Sequence, residues 1–185
     1  IWKSINNKLK RKAISKIEAS IIMDRIKGQL NYENFKNVDI VIEAVVEKME
    51  LKKQMLAEVE SATREDCVFA TNTSALPITE IASSAKRPEN VVGMHYFSPV
   101  PKMPLLEIIK TPLTSNKTIA TCYKLGVRQG KTCIVVKDHP GFYVNRILSP
   151  YLNEAMLMIE EGGRIQDIDC VFKKLGFPVG PMVLM

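Results

Sequence analysis

The feature that most constrains the fold is the alternation of short apolar runs with amphipathic helical stretches from residue 38 to residue 137. Val38 to Ala44 is a nearly continuous apolar run, as a buried parallel strand requires. Met49 to Ala62 then has helical periodicity, with Leu51, Met55, Leu56 and Val59 on one face and charges on the other. Cys67 to Ala70 reads as a second strand, and Pro77 suits the first turn of a short helix through Ile81 and Ala82. Val91 to Met94 predicts a third strand. Leu105 to Ile109, after a proline-rich turn, predicts a fourth. Asn116 to Gly130 reads as a helix and Thr132 to Lys137 as a last β-branched strand. This order predicts an α/β fold with a mostly parallel sheet.

Both flanks read as helical. Trp2, Ile5 and Leu9, then Ile14, Ile17, Ile21, Ile22 and Ile26, recur at helical spacing, and Gly28 closes the segment. After Asp138-His-Pro-Gly141 only helical patterns follow, from Tyr143 to Glu160 and from Ile165 to Leu175, with Gly162-Gly163 between them. A domain boundary is therefore expected near residue 139, giving a first domain of residues 1–139 and a helical second domain from residue 140. The start, Ile1-Trp-Lys-Ser, and the apolar end, Pro181 to Met185, read as cuts from a longer protein.

Composition narrows the function classes. Apolar residues make up 46% and charged residues 25%, values that suit a globular chain and argue against disorder. No apolar run approaches the roughly 20 residues of a membrane span. The net charge of +6 gathers near the start in Lys8, Lys10, Arg11, Lys12, Lys16, Arg25 and Lys27. These cations lie in a helical pattern without interleaved aromatics, which favours a solvated helix face over a nucleic-acid surface. Cys67, Cys122, Cys133 and Cys170 form no Cys-x-x-Cys pair, and the two histidines belong to no cluster with zinc spacing. No metal and no nucleic acid are expected.

The polar residues after the predicted strands carry the chemistry. In open α/β sheets ligands bind at the carboxyl ends of the strands. Glu47 follows the first run, Ser74 the second and His95 the third, while Asn145 opens the first helix past the boundary. Glu107 is a carboxylate inside the apolar run Leu105-Leu-Glu-Ile-Ile109. A buried carboxylate needs a partner. An imidazole is the natural one, because the carboxylate fixes its tautomer and raises its basicity, so His95 and Glu107 are expected to form a general-base pair. Ser74 or Asn72 can equally cap the turn before Ala75-Leu-Pro, Asn145 can bond at a helix start, and Lys52 can be a solvated helix residue. His139, in a turn before Pro140-Gly141, is the weaker histidine. No Gly-x-Gly-x-x-Gly turn occurs to hold a pyrophosphate, and Gly126, Gly130 and Gly141 are too widely spaced to supply one.

The runs Ile42-Glu-Ala-Val-Val-Glu47, Thr71-Asn-Thr-Ser-Ala75, Gly93-Met-His-Tyr-Phe-Ser-Pro99, Leu106-Glu-Ile-Ile109, Pro140-Gly-Phe-Tyr-Val-Asn-Arg146 and Phe177-Pro-Val-Gly-Pro181 together resemble the L-3-hydroxyacyl-CoA dehydrogenase family. The chain looks most like the dehydrogenase module of multifunctional fatty-acid oxidation alpha subunits, bacterial or mitochondrial. The resemblance implies an N-terminally incomplete Rossmann-type sheet with a helical hairpin, followed by the start of an all-helical domain. It implies NAD as cofactor and reversible oxidation of an L-3-hydroxyacyl-CoA to a 3-oxoacyl-CoA. His95 would be the base and Glu107 its orienting partner, while Ser74 and Asn145 would hold the substrate. Val45, Val46, Glu47, Lys52 and Ser74 would line the NAD site. Ser98, where many relatives carry asparagine, would join them. The basic hairpin would lie near the CoA phosphates. Implied partners are an acyl-CoA and either a second copy or a thiolase subunit, in the bacterial cytoplasm or, alternatively, the mitochondrial matrix. Two other readings stand beside this one: a stand-alone 3-hydroxybutyryl-CoA dehydrogenase, and an inactive fragment or scaffold that retains the catalytic residues.

Overall fold

The computed structural model describes residues 1–185, which divide into two compact units, Ile1–Glu33 and Asn34–Met185. The first is a hairpin of helices α1 (Trp2–Lys10) and α2 (Lys16–Asp24), closed on the buried side chains of Ile5 and Ala19. Ser15 starts α2 with a capping box. Its hydroxyl accepts from Glu18 N at 3.1 Å, and Ser15 N donates back to the Glu18 carboxylate at 2.7 Å.

In the second unit all five apolar runs join one sheet. β1 (Ile40–Glu43), β2 (Val68–Thr71), β3 (Val91–Tyr96), β4 (Leu105–Lys110) and β5 (Thr132–Lys137) lie side by side in that order. Three of the four pairings are parallel, as the alternation predicts, and β3–β4 is antiparallel. Helix α3 (Met49–Ala62) connects β1 to β2, α4 (Ile78–Ala82) connects β2 to β3, and α5 (Asn116–Arg128) connects β4 to β5. β4 follows β3 with no helix between them, so the chain folds straight back and the pair runs antiparallel.

The two-residue period of the strands sorts their side chains onto two faces. Val68, Ala70, Val92, Met94, Leu106 and Ile108 form one core with Cys122 of α5. The opposite face carries Glu43, Thr71, Gly93, His95, Glu107 and Ile109, under α3 and α4. Gly93 is required there: a Cβ would lie 2.9 Å from atoms of Ile109 and of Ile78 on α4. The polar residues of the sheet thus share one face, and Gly93 keeps that face open to α4.

Some boundaries differ from the sequence reading. A 3-10 turn at Phe35–Asn37 leads into Val38, so β1 begins at Ile40. β3 runs on to Tyr96, which places His95 inside the strand rather than after it. Past β5, α6 (Val144–Glu160), α7 (Ile165–Lys174) and a short α8 (Pro181–Leu184) follow, the last of which the periodicity did not suggest. Tyr151, Phe172 and Phe177 pack their rings together among these helices, and Asp169 accepts from Met182 N at the start of α8. No helix is long and apolar enough to cross a membrane.

Candidate active site

His95 and Glu107 face each other because the antiparallel register pairs them directly across β3 and β4. Nδ1 of His95 lies 2.7 Å from Oε2 of Glu107. Both residues are buried, Glu107 completely. The other carboxylate oxygen, Oε1, accepts from Tyr143 N at 3.0 Å and Val144 N at 2.9 Å, at the start of α6. One carboxylate therefore orients the imidazole and caps a 17-residue helix, whose N-terminal dipole favours negative charge. Burial pushes the Glu107 carboxyl up, but the His95 hydrogen bond and the two backbone N–H groups outweigh it. The group is held below the usual carboxylate range.

That capping needs an unusual approach of the chain. Gly141 (φ 74°) and Phe142 (φ 49°) are both left-handed, and the second carries a large buried side chain. The turn aims Tyr143 N and Val144 N at Glu107 and sets the Phe142 ring edge-on to His95 at 5.8 Å. Phe97 lies tilted against the imidazole at 4.4 Å. Tyr151 Oη is the sole buried side-chain polar atom without a partner, so Nε2 of His95, which bonds to no protein group, keeps contact with solvent. A neutral His95 that donates Nδ1–H to a carboxylate and presents Nε2 outward is poised to take a proton.

Asn145 sits one residue past Val144, and its amide Nδ2 donates to the Ser74 carbonyl at 3.1 Å. Ser74 N donates to Glu47 Oε1 at 3.0 Å. The serine backbone is thus held on both sides while its hydroxyl stays unengaged on an exposed residue. Asn145 keeps its Oδ1 and a second amide N–H for another partner. Glu47 also accepts from the Thr73 hydroxyl and lies 3.3 Å from Lys52 Nζ. Its partial burial raises its pKa, and the bonds from Thr73, Ser74 and Lys52 outweigh this and lower it.

The structure revises several sequence readings. Neither Ser74 nor Asn72 caps the turn. Thr73 Oγ1 does so, accepting from Leu76 N at 2.9 Å. Asn72 instead ties β2 to β3, its side-chain oxygen accepting from Tyr96 N at 2.9 Å. Lys52 is not solvated: it is wholly buried, with its ammonium on Glu43 and Glu47. Val46, Glu47 and Ser98 are exposed past the ends of β1 and β3, and Val45 is half-buried. His139 is exposed and contributes only its carbonyl, to Phe142 N. Sequence reasoning missed Glu43, Thr73, Phe97 and Phe142. Glu43 carried the same signal as Glu107, a carboxylate within an apolar run.

The comparisons with known proteins decide the family. Residues 1–139 match the description "3-hydroxyacyl-CoA dehydrogenase, NAD binding domain", and residues 141–185 match "3-hydroxyacyl-CoA dehydrogenase, C-terminal domain". The chain belongs to the 3-hydroxyacyl-CoA dehydrogenase family. It is 53% identical over 184 residues to the fatty acid oxidation complex subunit alpha of Idiomarina loihiensis, covering 100% of this chain and 26% of that protein. The (S)-3-hydroxybutyryl-CoA dehydrogenase of Ralstonia eutropha superposes with a TM-score of 0.93 at 38% identity, over 98% of this chain and 65% of the other. The 3-hydroxybutyryl-CoA dehydrogenase of Escherichia coli K12 gives a TM-score of 0.93 at 31% identity, over 99% of this chain and 39% of the other. The chain thus spans about a quarter of the length of the curated relative and less than two thirds of each solved one.

For this 3-hydroxyacyl-CoA dehydrogenase chain, the carboxyl ends of the parallel strands β1 and β2 are where NAD is expected to dock. Val46, Glu47 and the free Ser74 hydroxyl lie exposed at those ends, with Val45 half-buried beside them. The sequence holds no glycine-rich turn for the pyrophosphate.

Proposed function

We propose that this chain carries the catalytic base of an NAD-dependent oxidation of L-3-hydroxyacyl-CoA to 3-oxoacyl-CoA in fatty-acid β-oxidation. The observation that carries the reading is the buried His95–Glu107 pair, with Asn145 placed beside it by the helix that Glu107 caps. When bound, NAD supplies the acceptor for the hydride on substrate C3. His95 Nε2 takes the proton of the 3-hydroxyl, and the Nδ1–H bond to Glu107 stabilises the imidazolium that results. Ser74 Oγ and the free amide atoms of Asn145 hydrogen-bond the hydroxyl and the thioester carbonyl, which fixes the carbinol against the imidazole. Val45, Val46, Glu47, Ser74 and Ser98 would hold the nicotinamide side. Lys52, ion-paired to Glu47, would join them.

Higher identity to the fatty acid oxidation subunit, 53% against 38% and 31% for the two solved dehydrogenases, supports a module of a multifunctional protein over a stand-alone enzyme. The name of that relative, a complex subunit, supports assembly into a multienzyme complex, and a further copy or a thiolase subunit is the partner we propose. The compartment that goes with this reading is the bacterial cytoplasm, the mitochondrial matrix being the alternative. The test is acetoacetyl-CoA-dependent oxidation of NADH, with His95→Ala beside the wild type. Turnover that falls about 10²- to 10⁴-fold in the variant supports the reading. Equal turnover in both overturns it.

A further inference from the structure

The connection between β3 and β4 joins the base to its partner, and it has no core of its own. Every residue from Ser98 to Pro104 is exposed, so no buried side chain fixes this loop. Polar bonds hold it instead. Within the loop, the Pro99 carbonyl accepts from Lys102 N at 2.9 Å and from Met103 N at 3.2 Å, which closes one helical turn. A single turn leaves its own carbonyls without donors from a following turn. Lys131 supplies two: its ammonium donates to the Met103 carbonyl at 2.6 Å and to the Val100 carbonyl. The next residue, Thr132, donates its N–H to the Pro104 carbonyl at 2.8 Å. The bonds that reach Ser98–Pro104 from elsewhere in the chain all start at these two neighbours.

Lys131 is itself firmly placed. Helix α5 ends in a Schellman arrangement, with Gly130 left-handed (φ 75°), Gly130 N donating to the Val127 carbonyl at 2.9 Å and Lys131 N to the Gly126 carbonyl at 2.9 Å. The Gln129 side chain just before it receives the Tyr96 hydroxyl at 2.8 Å, so the same end of α5 also grips β3. The half-buried Lys131 side chain has no carboxylate within ion-pair distance, and its bonds go to backbone carbonyls. We infer that Lys131 is a positioning residue that clamps the β3–β4 loop to the end of α5 and so fixes Ser98, three residues after His95, at the mouth of the site. The kinetic consequence rests on the proposed dehydrogenase reading, in which Ser98 holds the nicotinamide side. The clamp itself does not.

The test uses Lys131→Met, which keeps length and removes the donors, with Lys131→Arg as the conservative variant. No carboxylate loses its partner in Lys131→Met, so the fold should persist. Amide hydrogen exchange reads the loop directly. In Lys131→Met the Lys102 and Met103 amides, which close the turn, should exchange on the order of tenfold faster, since the turn loses two charge-assisted bonds. The β4 and β5 amides should keep their wild-type rates. Lys131→Arg, whose guanidinium can donate to both carbonyls, should restore most of the loop protection. In steady-state kinetics Lys131→Met should raise the KM for NADH about three- to tenfold with a smaller change in kcat, because the strand ladder still holds His95 against Glu107. That rise should shrink when Ser98→Ala is already present, as coupled positions do. Unchanged exchange at Lys102 and Met103, a loss of protection spread evenly over β4 and β5, no rescue by Lys131→Arg, or KM effects that simply add to those of Ser98→Ala would overturn the proposal. The exchange rates are read without cofactor or substrate, so they decide the clamp by themselves. Failure of the dehydrogenase reading shows separately, as equal turnover in wild type and His95→Ala.

Discussion

Glu107 serves two partners with one carboxylate, and its charge is the requirement they share. Replacing it by Gln keeps the shape but offers His95 either a weaker acceptor or an amide donor, so the tautomer with Nε2 free is no longer enforced. We expect Glu107→Gln to lower kcat by about 10²- to 10⁴-fold with a smaller change in KM, measurable by steady-state NADH oxidation. The same charge sets a pH dependence. Because the folded carboxyl titrates below its unfolded value, its contribution to stability is complete above the unfolded pKa of about 4.3 and is lost as pH falls through the folded value. Urea midpoints taken downward from neutral pH should show the wild type converging on Glu107→Gln below about pH 4. A constant gap would contradict this assignment. At this scale the sequence was informative where a charge stood in an apolar run: Glu107 was paired with His95 on that ground alone. Glu43 carried the same signal, but its ion pair with Lys52 did not follow from the pattern, which left Lys52 open to reading as a solvated helix residue. The role of Phe142 was not legible, because a left-handed φ at a bulky residue leaves no trace in composition.

The strands and the longer helices followed from period and length. α3 and β5 begin and end where the periodicity places them. The reversal between β3 and β4 did not follow, since apolar runs report burial and not direction. That reversal is what creates the His95–Glu107 register, so the central contact of the site depends on a feature the pattern leaves open. The close approach of α4 over Gly93 was equally hidden. Gly93→Ala places a methyl group 2.9 Å from Ile78 and Ile109, and nothing in that layer is spare. We expect a loss of about 1–3 kcal/mol in urea unfolding, larger than for a glycine with open space around it such as Gly28.

For the whole molecule, one sheet face does structural work and the other carries residues of the proposed site. The α5 side is a closed apolar core. The α3–α4 side carries a row of buried charges that locks Glu107, Glu47 and the two segments bearing Ser74 and Asn145. The family membership of residues 1–139 agrees with the motifs on that second face. The claim everything else depends on is that His95 is the proton acceptor. The most direct measurement is the pH dependence of kcat/KM for oxidation of an L-3-hydroxyacyl-CoA, in wild type and in His95→Gln. The account predicts a wild-type rate that rises with pH through one ionisation, and a His95→Gln rate that is far lower and lacks that ionisation. A His95→Gln enzyme that keeps both the rate and the wild-type profile would contradict it.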